Sequence, residues 1–386
     1  MGNLRDVVIV GGGISGTAAA YELARAGASV MLVERGELAS MASGWTLAGV
    51  RQSGRHPLEL PLARAAVRRW AALGEELETD IEYRQEGNLR LARTPDEVPV
   101  IARLVEEQRR LGLGIEFLPD PAAVRQVAPA LSGAVVAASF CPTDGHANPT
   151  ATVRAFAAAA RRRGAVLCIR TEVVDIGVRG GRVQGVRTTA GSVAADAVVL
   201  AAGVHTDRLC KMAGVEFPLR TEHVAVVQTV SLPPLIRQVI GVANADFAGR
   251  QEVGGRMRMT GDAFPWQWPP GALGADDVQP PAWAVRAVLD RAVAVLPALS
   301  DAKVARVWGG LIDLTPDGLP VIERAPEVEG LVIAAGFSGH GFCLGPITGQ
   351  LVRELITTKR PSLSLEGFRR ARFAAPGPKA AAELHG

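Results

Sequence analysis

The stretch DVVIVGGGISGTAAAYELARAGASVMLVERG, residues 6–36, decides the fold. Asp6 to Val10 is a short apolar run with β-branched residues, the pattern of a strand buried on both faces. Gly11, Gly13 and Gly16 follow in G-x-G-x-x-G spacing. Ile14 to Ala26 is rich in alanine, leucine and glutamate, which predicts a helix that ends at Gly27. Ser29 to Val33 is a second strand, closed by Glu34. Each residue has a task in a dinucleotide site. Gly11 permits the tight turn, Gly13 lets the backbone approach a pyrophosphate, and Gly16 allows close helix–strand packing. The helix N-terminus offers N–H groups and a positive dipole end. Glu34, 23 residues after Gly11, suits a ribose diol and disfavours a 2′-phosphate. The fingerprint leaves NAD and FAD open.

Outside this unit the composition mostly excludes. The chain has 386 residues, of which 48% are apolar, enough for two domains or one large one. A net charge of +3 gives no basic field for nucleic acid. Only four of the 42 basic residues are lysines, which narrows any search for a catalytic lysine. Cys141, Cys168, Cys210 and Cys343 form no C-x-x-C pair, so zinc and iron–sulfur ligation are not expected and the four are expected as reduced structural thiols. No G-x-S-x-G, H-E-x-x-H or Walker motif is present. The apolar run before Gly11 is too short for a signal-peptide core, and no run of about 18 apolar residues suggests a membrane span. The expectation is a cytoplasmic protein, with peripheral contact at the inner membrane left open.

Along the chain, helices are expected over 63–77, 96–112, 150–163 and 282–296, and strands over 86–94, 165–170, 172–178, 182–188, 195–203, 220–230 and 255–261. CPTDGHANP (141–149) is a turn-rich crossover, and PWQWPPGALGADDVQPP (265–281) a proline-rich loop. The fold class is therefore α/β: a Rossmann-like nucleotide domain in three segments, interrupted by two excursions into a sheet-rich α+β domain.

Four pieces in this order, the fingerprint, DAVVLAAGVHTDRL (196–209), WGGLIDLTPDGLPVI (308–322) and GLVIAAGFSGHGFCLGPITGQLVREL (330–355), cover nearly the whole chain. Together they resemble the flavin-dependent D-amino-acid oxidase / sarcosine oxidase superfamily. WGGLIDLTPDGLPVI and GVRQSGRHPLELPLA (49–63) look closest to the β subunits of hetero-oligomeric sarcosine oxidase, opine oxidase, and hydroxyproline and proline dehydrogenases. The resemblance implies FAD and assigns residues 1–82, 144–215 and 306–386 to the FAD-binding domain and 83–143 and 216–305 to the substrate-binding domain. It implies oxidation of the C–N bond of a secondary or cyclic amino acid to an imine by hydride transfer to flavin N5. It further implies α- or γ-type partner subunits carrying FAD, FMN or an iron–sulfur cluster. A self-sufficient oxidase and a flavin-binding structural subunit stand as alternatives.

Site residues follow from the same resemblance. Gly11, Gly13, Ile14, Ser15, Gly16, Glu34, Arg35, Ser43, Gly44, Val173, Ala202, Gly203, Gly310, Gly336, Gly339, His340, Gly341 and Phe342 are expected to contact FAD, and Arg51, Arg258 and His340 to serve catalysis. Arg51 matches an arginine beside the flavin ring, where a guanidinium can stabilise anionic flavin or clamp a carboxylate. Arg55 and His56 are expected in packing or surface roles. The position where amino-acid-oxidising relatives hold a carboxylate-binding arginine reads Ile312-Asp313, which leaves Arg51, Arg256 or Arg258 for that task. GRMRMTGD (255–262) lacks the lysine that promotes reaction with oxygen in monomeric sarcosine oxidases, which points to a dehydrogenase. The tethering cysteine of those relatives falls on Gly310, so FAD is expected to bind non-covalently. Asn148 occupies the place of an FMN-tethering histidine, and His146 is expected at a turn or in solvent.

GFSGHGFCLG (336–345) lies between a strand and a helix whose first turn is expected to hold Pro346. Its glycines, more than His340 or Cys343, are expected to do the binding, by presenting backbone N–H groups to the pyrimidine edge of FAD.

Overall fold

The computed structural model describes residues 5–267 and 278–374. Most of the proline-rich loop expected over 265–281, and both ends of the FAD-binding assignment (1–4 and 375–386), lie outside the described residues.

Two eight-stranded sheets organise the chain. The first centres on the fingerprint strand Arg5–Val10, which pairs in parallel with Val30–Val33 on one side and Gly191–Leu200 on the other. Leu331–Ala335 and Val166–Cys168 extend it in parallel, while Val321–Arg324 and the hairpin Val173–Arg179/Arg182–Thr188 add antiparallel pairs. Val7, Val8 and Ile9 are buried because helices and the hairpin cover both faces, which is why the strand is an unbroken apolar run. On one face the fingerprint helix Ile14–Arg25 packs against Gly341–Thr357. The two helices approach closely because Gly345 and Gly349 have no side chain: a Cβ at Gly349 would lie 2.6 Å from the Ala18 carbonyl carbon. The expected start at Pro346 is corrected. The helix begins at Gly341, and Pro346 sits inside it.

The second sheet runs Val304–Leu314, Arg220–Ser231, Arg256–Pro265, Phe247–Gln251, Val239–Val242, Asn88–Ala92, Ala137–Cys141, Glu116–Leu118. Its one parallel pair, Val239–Val242 with Asn88–Ala92, joins the two excursions of the chain into a single layer, and helix Ala282–Val295 packs on it. Val304–Leu314 pairs along its length with Arg220–Ser231, so residues 306–314 hydrogen-bond into the second sheet even though sequence motifs group them with the first. A short ladder between Gly49–Val50 and Gly145–His146 gives the expected crossover its own pairing.

Candidate active site

One elongated cavity runs from the fingerprint turn, past the 336–342 loop, to the inner face of the second sheet. At its nucleotide end the work is done by backbone. Gly11 has φ +118°, and a Cβ there would meet the Ala201 carbonyl oxygen at 2.3 Å. At Gly16 a Cβ would come within 2.0 Å of the Gly11 carbonyl oxygen. Only glycine allows this turn to close onto the strand and the helix at once. Gly13 caps the helix without a side chain, and Ser43 Oγ accepts from Ile14 N at 2.9 Å, so its hydroxyl hydrogen can point to an anion at the helix N-terminus. Glu34 is pinned by Gly12 N at 2.6 Å and Gly36 N at 2.7 Å, with its carboxylate on the cavity wall. Arg35, Val173, Ala202 and Gly203 also line this end. This cradle, closed to any Cβ and flanked by an acid, fits the diphosphate and ribose of a dinucleotide.

The segment that follows Ser43 is held by two arginines of the second sheet. Arg258 donates to the Thr46 carbonyl at 2.8 Å and ion-pairs with Glu252 at 2.7 Å, and its guanidinium stacks over Trp308. Fully buried Arg250 donates to the Leu47 and Ala147 carbonyls and meets His146 Nδ1 at 3.0 Å. Arg258, expected in catalysis, is therefore committed to holding the loop that carries Ser43, and it does not line the cavity. Arg256 is exposed. His146 is not at a solvent-facing turn: burial, with the Arg250 charge, pushes it down to about 3, and it accepts from Arg250 as a neutral ring. Asn148 caps the helix Pro149–Arg162 by accepting from Ala151 N at 3.0 Å. Gly44 packs where a Cβ would strike the Ala39 carbonyl, also off the cavity surface.

The loop after Leu331–Ala335 turns through Gly336, Ser338 and Gly339, all at positive φ. Gly339, His340, Gly341 and Phe342 line the cavity. Gly336 does not; it donates to Asp313 Oδ2 at 2.7 Å. Burial raises the Asp313 carboxyl to about 6, against hydrogen bonds from Gly336 and Phe337. So the residue that stands near the relatives' missing arginine shapes the glycine loop. Gly310 lies on the wall with only Val224 and Trp45 near the place a Cβ would occupy. His340 Nδ1 lies 3.0 Å from Glu59. Burial, with the charge of Arg55, lowers His340 to about 4, so at neutral pH the ring is uncharged and its Nδ1–H donates to Glu59. Burial would raise Glu59, but His340 and Arg55 outweigh it and hold the carboxylate at about 2.

The far end is cationic. Arg51, Arg55 and Arg90 are all buried and all line the cavity, with Asn88 beside them. Arg55 pairs with Glu59 at 3.6 Å, so it belongs to the site and not to ordinary packing or surface. His56 accepts from Leu58 N at the protein's edge. Burial, with Arg55 and Arg90 nearby, lowers Arg51 well below the usual guanidinium range, and burial with Arg55 lowers Arg90 to about 10. An anion among these cations would relieve both costs. Asp144 is the carboxylate behind them. Its oxygens accept from Gln52 N at 2.8 Å, Ser53 N at 3.2 Å and Ser53 Oγ at 2.5 Å. Val224, Val226, Val239 and Ile240 of the second sheet add apolar lining, the last two on the strand beside that of Asn88 and Arg90.

The family model for FAD dependent oxidoreductases, the DAO family, matches residues 6–355. The chain belongs to this family. As a DAO-family FAD-dependent oxidoreductase it is 32% identical over 375 residues to glycine oxidase of Geobacillus kaustophilus (strain HTA426), covering 94% of this chain and 96% of the relative. It is 30% identical over 349 residues to sarcosine oxidase subunit beta of Arthrobacter sp, covering 87% and 83%. The structure of L-proline dehydrogenase from P. horikoshii superimposes with TM-score 0.88 at 29% identity, covering 97% of this chain and 99% of that one. Among the described residues of this DAO-family chain, no cluster of side chains could hold a metal ion, and no helix is long and apolar enough to cross a membrane.

Of the residues expected from the sequence, Gly11, Gly13, Arg51 and His340 line the cavity. Sequence reasoning missed Asn88, Arg90, Glu59, Asp144 and Arg250. The available signal was a charge inside an apolar run: Arg90 stands in NLRLA, a strand buried throughout.

Proposed function

We propose that this chain oxidises the C–N bond of a secondary or cyclic amino acid of sarcosine or proline type, with non-covalent FAD. The observation that carries the reading is the mixed lining of one cavity: buried Arg51, Arg55 and Arg90 share it with the apolar side chains of Val224, Val226, Val239 and Ile240. A substrate with a carboxylate at one end and an aliphatic ring or N-alkyl group at the other fits that lining. FAD, when bound along the cradle, supplies the acceptor for the substrate hydride.

The chain's own residues do the rest. Arg51, with Arg55 and Arg90 beside it, holds the carboxylate and so orients the Cα–N bond. The apolar wall excludes water and disfavours the ammonium form of the amine, as oxidation of a neutral amine requires. His340, uncharged and anchored on Glu59, places the Gly339–Phe342 backbone. Gly310 has no side chain with which to form a flavin bond.

Partner subunits draw support from the match to sarcosine oxidase subunit beta, and the dehydrogenase form from the likeness to L-proline dehydrogenase and the absence of lysine in 255–262. A self-sufficient oxidase draws support from the match along nearly the whole of a glycine oxidase. The test is an anaerobic panel of sarcosine, glycine, L-proline, D-proline and hydroxyproline, scored by loss of the oxidised flavin band, with pyrrolidine as the control lacking a carboxylate. Bleaching by a secondary amino acid but not by pyrrolidine is expected; bleaching by none of the panel overturns the reading. Peroxide formation in air then separates oxidase from dehydrogenase.

A further inference from the structure

We propose that Asp144 is a positioning residue that sets the spacing between the arginine pair Arg51/Arg55 and the strand that carries Arg90. The inference rests on the reading of the arginine end as a carboxylate site. Asp144 is fully buried and lies just past strand Ala137–Cys141, away from the cavity wall. Its side chain and its backbone serve two different segments. The carboxylate takes three hydrogen bonds from the turn of Gln52 and Ser53. The backbone carbonyl accepts from Gly87 N at 2.8 Å, at the start of strand Asn88–Ala92. That strand pairs in register with Ala137–Cys141, Asn88 opposite Cys141 and Arg90 opposite Ser139. One residue thus joins the loop of Arg51 and Arg55 to the strand of Asn88 and Arg90.

The loop has further contacts: the ladder of Gly49–Val50 with Gly145–His146 precedes it, Cys343 Sγ donates to the Arg51 carbonyl at 3.4 Å, and Gln108 Nε2 donates to the Arg55 carbonyl at 3.1 Å. Arg51 donates to the Ser53 carbonyl at 3.1 Å, and Arg55 donates back to the Arg51 carbonyl at 3.2 Å, which makes the loop a unit. The three bonds to the Asp144 carboxylate are the contacts that hold Gln52 and Ser53 beside the start of the strand that carries Arg90. Gln52 adds a side-chain bond to Thr143 Oγ1 at 2.8 Å, one residue from Asp144. Burial raises the Asp144 carboxyl, against the hydrogen bonds from Gln52 and Ser53 and the charge of Arg51. An amide replacement that still accepts a hydrogen bond would keep most of the fold and lose one acceptor.

The test measures binding of propionate, an unreactive carboxylate, by perturbation of the flavin spectrum in the FAD-loaded chain, beside KM and kcat for the best amino acid of the panel. In Asp144→Asn the dissociation constant for propionate and KM are expected to rise about tenfold, with kcat within about threefold and FAD affinity unchanged. A merely structural role would lower thermal stability and leave propionate affinity and KM alone, and that result overturns the proposal. If Asp144→Asn does not accumulate as a folded flavoprotein, Ser53→Ala carries the test, since it removes only the hydroxyl contact. A rise of about threefold in the propionate constant is then expected, and no rise overturns the proposal. Arg51→Ala runs in parallel. If it loses propionate binding while Asp144→Asn keeps it, the positioning role fails and the carboxylate reading stands. If Arg51→Ala leaves propionate binding intact, the carboxylate reading fails and takes this inference with it.

Discussion

The two ends of the cavity recognise their ligands by opposite means. At the nucleotide end, glycines bring main-chain N–H groups and a helix terminus to the ligand, and the acid Glu34 is itself pinned by backbone. At the inner end, buried side chains from five separate parts of the chain converge: Arg51 and Arg55, Glu59, Asn88 and Arg90, Asp144, and His340. A backbone cradle tolerates almost any change that leaves its glycines alone. A buried charge network tolerates little, because each member's cost of burial is offset by its neighbours.

The difference is sharpest under substitution. Gly16→Val adds a Cβ 2.0 Å from the Gly11 carbonyl oxygen, a backbone atom of the turn that cannot yield as a flexible side chain would. Purified protein is expected to carry no flavin, with FAD affinity down more than about 100-fold, or to fail to fold. A flavin-to-protein absorbance ratio near that of the unaltered chain would break the account of the cradle. Arg51→Ala is the counterpart at the other end. A charge-assisted hydrogen bond to a carboxylate contributes about 1.5–3 kcal/mol, so KM should rise about 10- to 100-fold while flavin content holds. Loss of flavin with unchanged KM would place Arg51 with the cofactor.

The same contrast explains what could be read in advance. The cradle is one contiguous segment in which glycine spacing, strand, helix and acid all carry a signal, so Gly11, Gly13, Gly16 and Glu34 are legible. Ser43 and Ala202 came from the resemblance, whereas the 336–345 loop also shows itself as glycines between a strand and a helix. The inner end has no local pattern. Asp144 sits in a D-G dipeptide that looks like any turn, and nothing in residues 50–55 announces that they fold onto residue 144. Arg258 was expected in catalysis as the basic residue nearest the relatives' lysine in GRMRMTGD, and its contacts with Glu252 and the Thr46 carbonyl carry no sequence signal. Short strands such as Val239–Val242 and Phe247–Gln251 were missed because four or five residues carry too little periodicity.

Arg258 gives the next effect in size. It reaches from the second sheet to the segment that carries Ser43, so Arg258→Ala should weaken FAD binding by about tenfold and leave KM for the amino acid within about threefold. Titration of the flavin-free chain with FAD measures this. A KM effect larger than the FAD effect would return Arg258 to the substrate side.

Stability against pH connects the two ends. His205 at the nucleotide end and His340 at the inner end are each lowered to about 4, first by burial and then by nearby arginines, and His146 between them to about 3. An unfolded chain takes up protons on these rings near 6.5, whereas the folded chain resists until about 4 or below. The unfolded state therefore binds more protons through that window, and stability falls as pH drops below 6.5. Thermal melts should shift down steadily from pH 6.5 to 4, and His340→Gln should flatten part of that slope. A melt insensitive to pH over this range would mean that these rings are not held neutral.

The smallest effect belongs to Cys343. Its thiol is buried and donates to the Arg51 carbonyl at 3.4 Å, and burial pushes it up to about 11. A thiol held protonated is neither nucleophile nor ligand, yet it touches the backbone of the residue on which the carboxylate site depends. Cys343→Ser keeps the size and a donor, and its hydroxyl can make the same bond. FAD content and KM should stay within about twofold, with at most a modest drop in melting temperature for burying a more polar group. Cys343→Ala removes the donor and leaves the Arg51 carbonyl to Arg55 Nε alone; KM should then rise about twofold to threefold with flavin unchanged. Loss of flavin in the serine variant would show that the cysteine belongs to the cradle and that the division between the two ends is drawn in the wrong place.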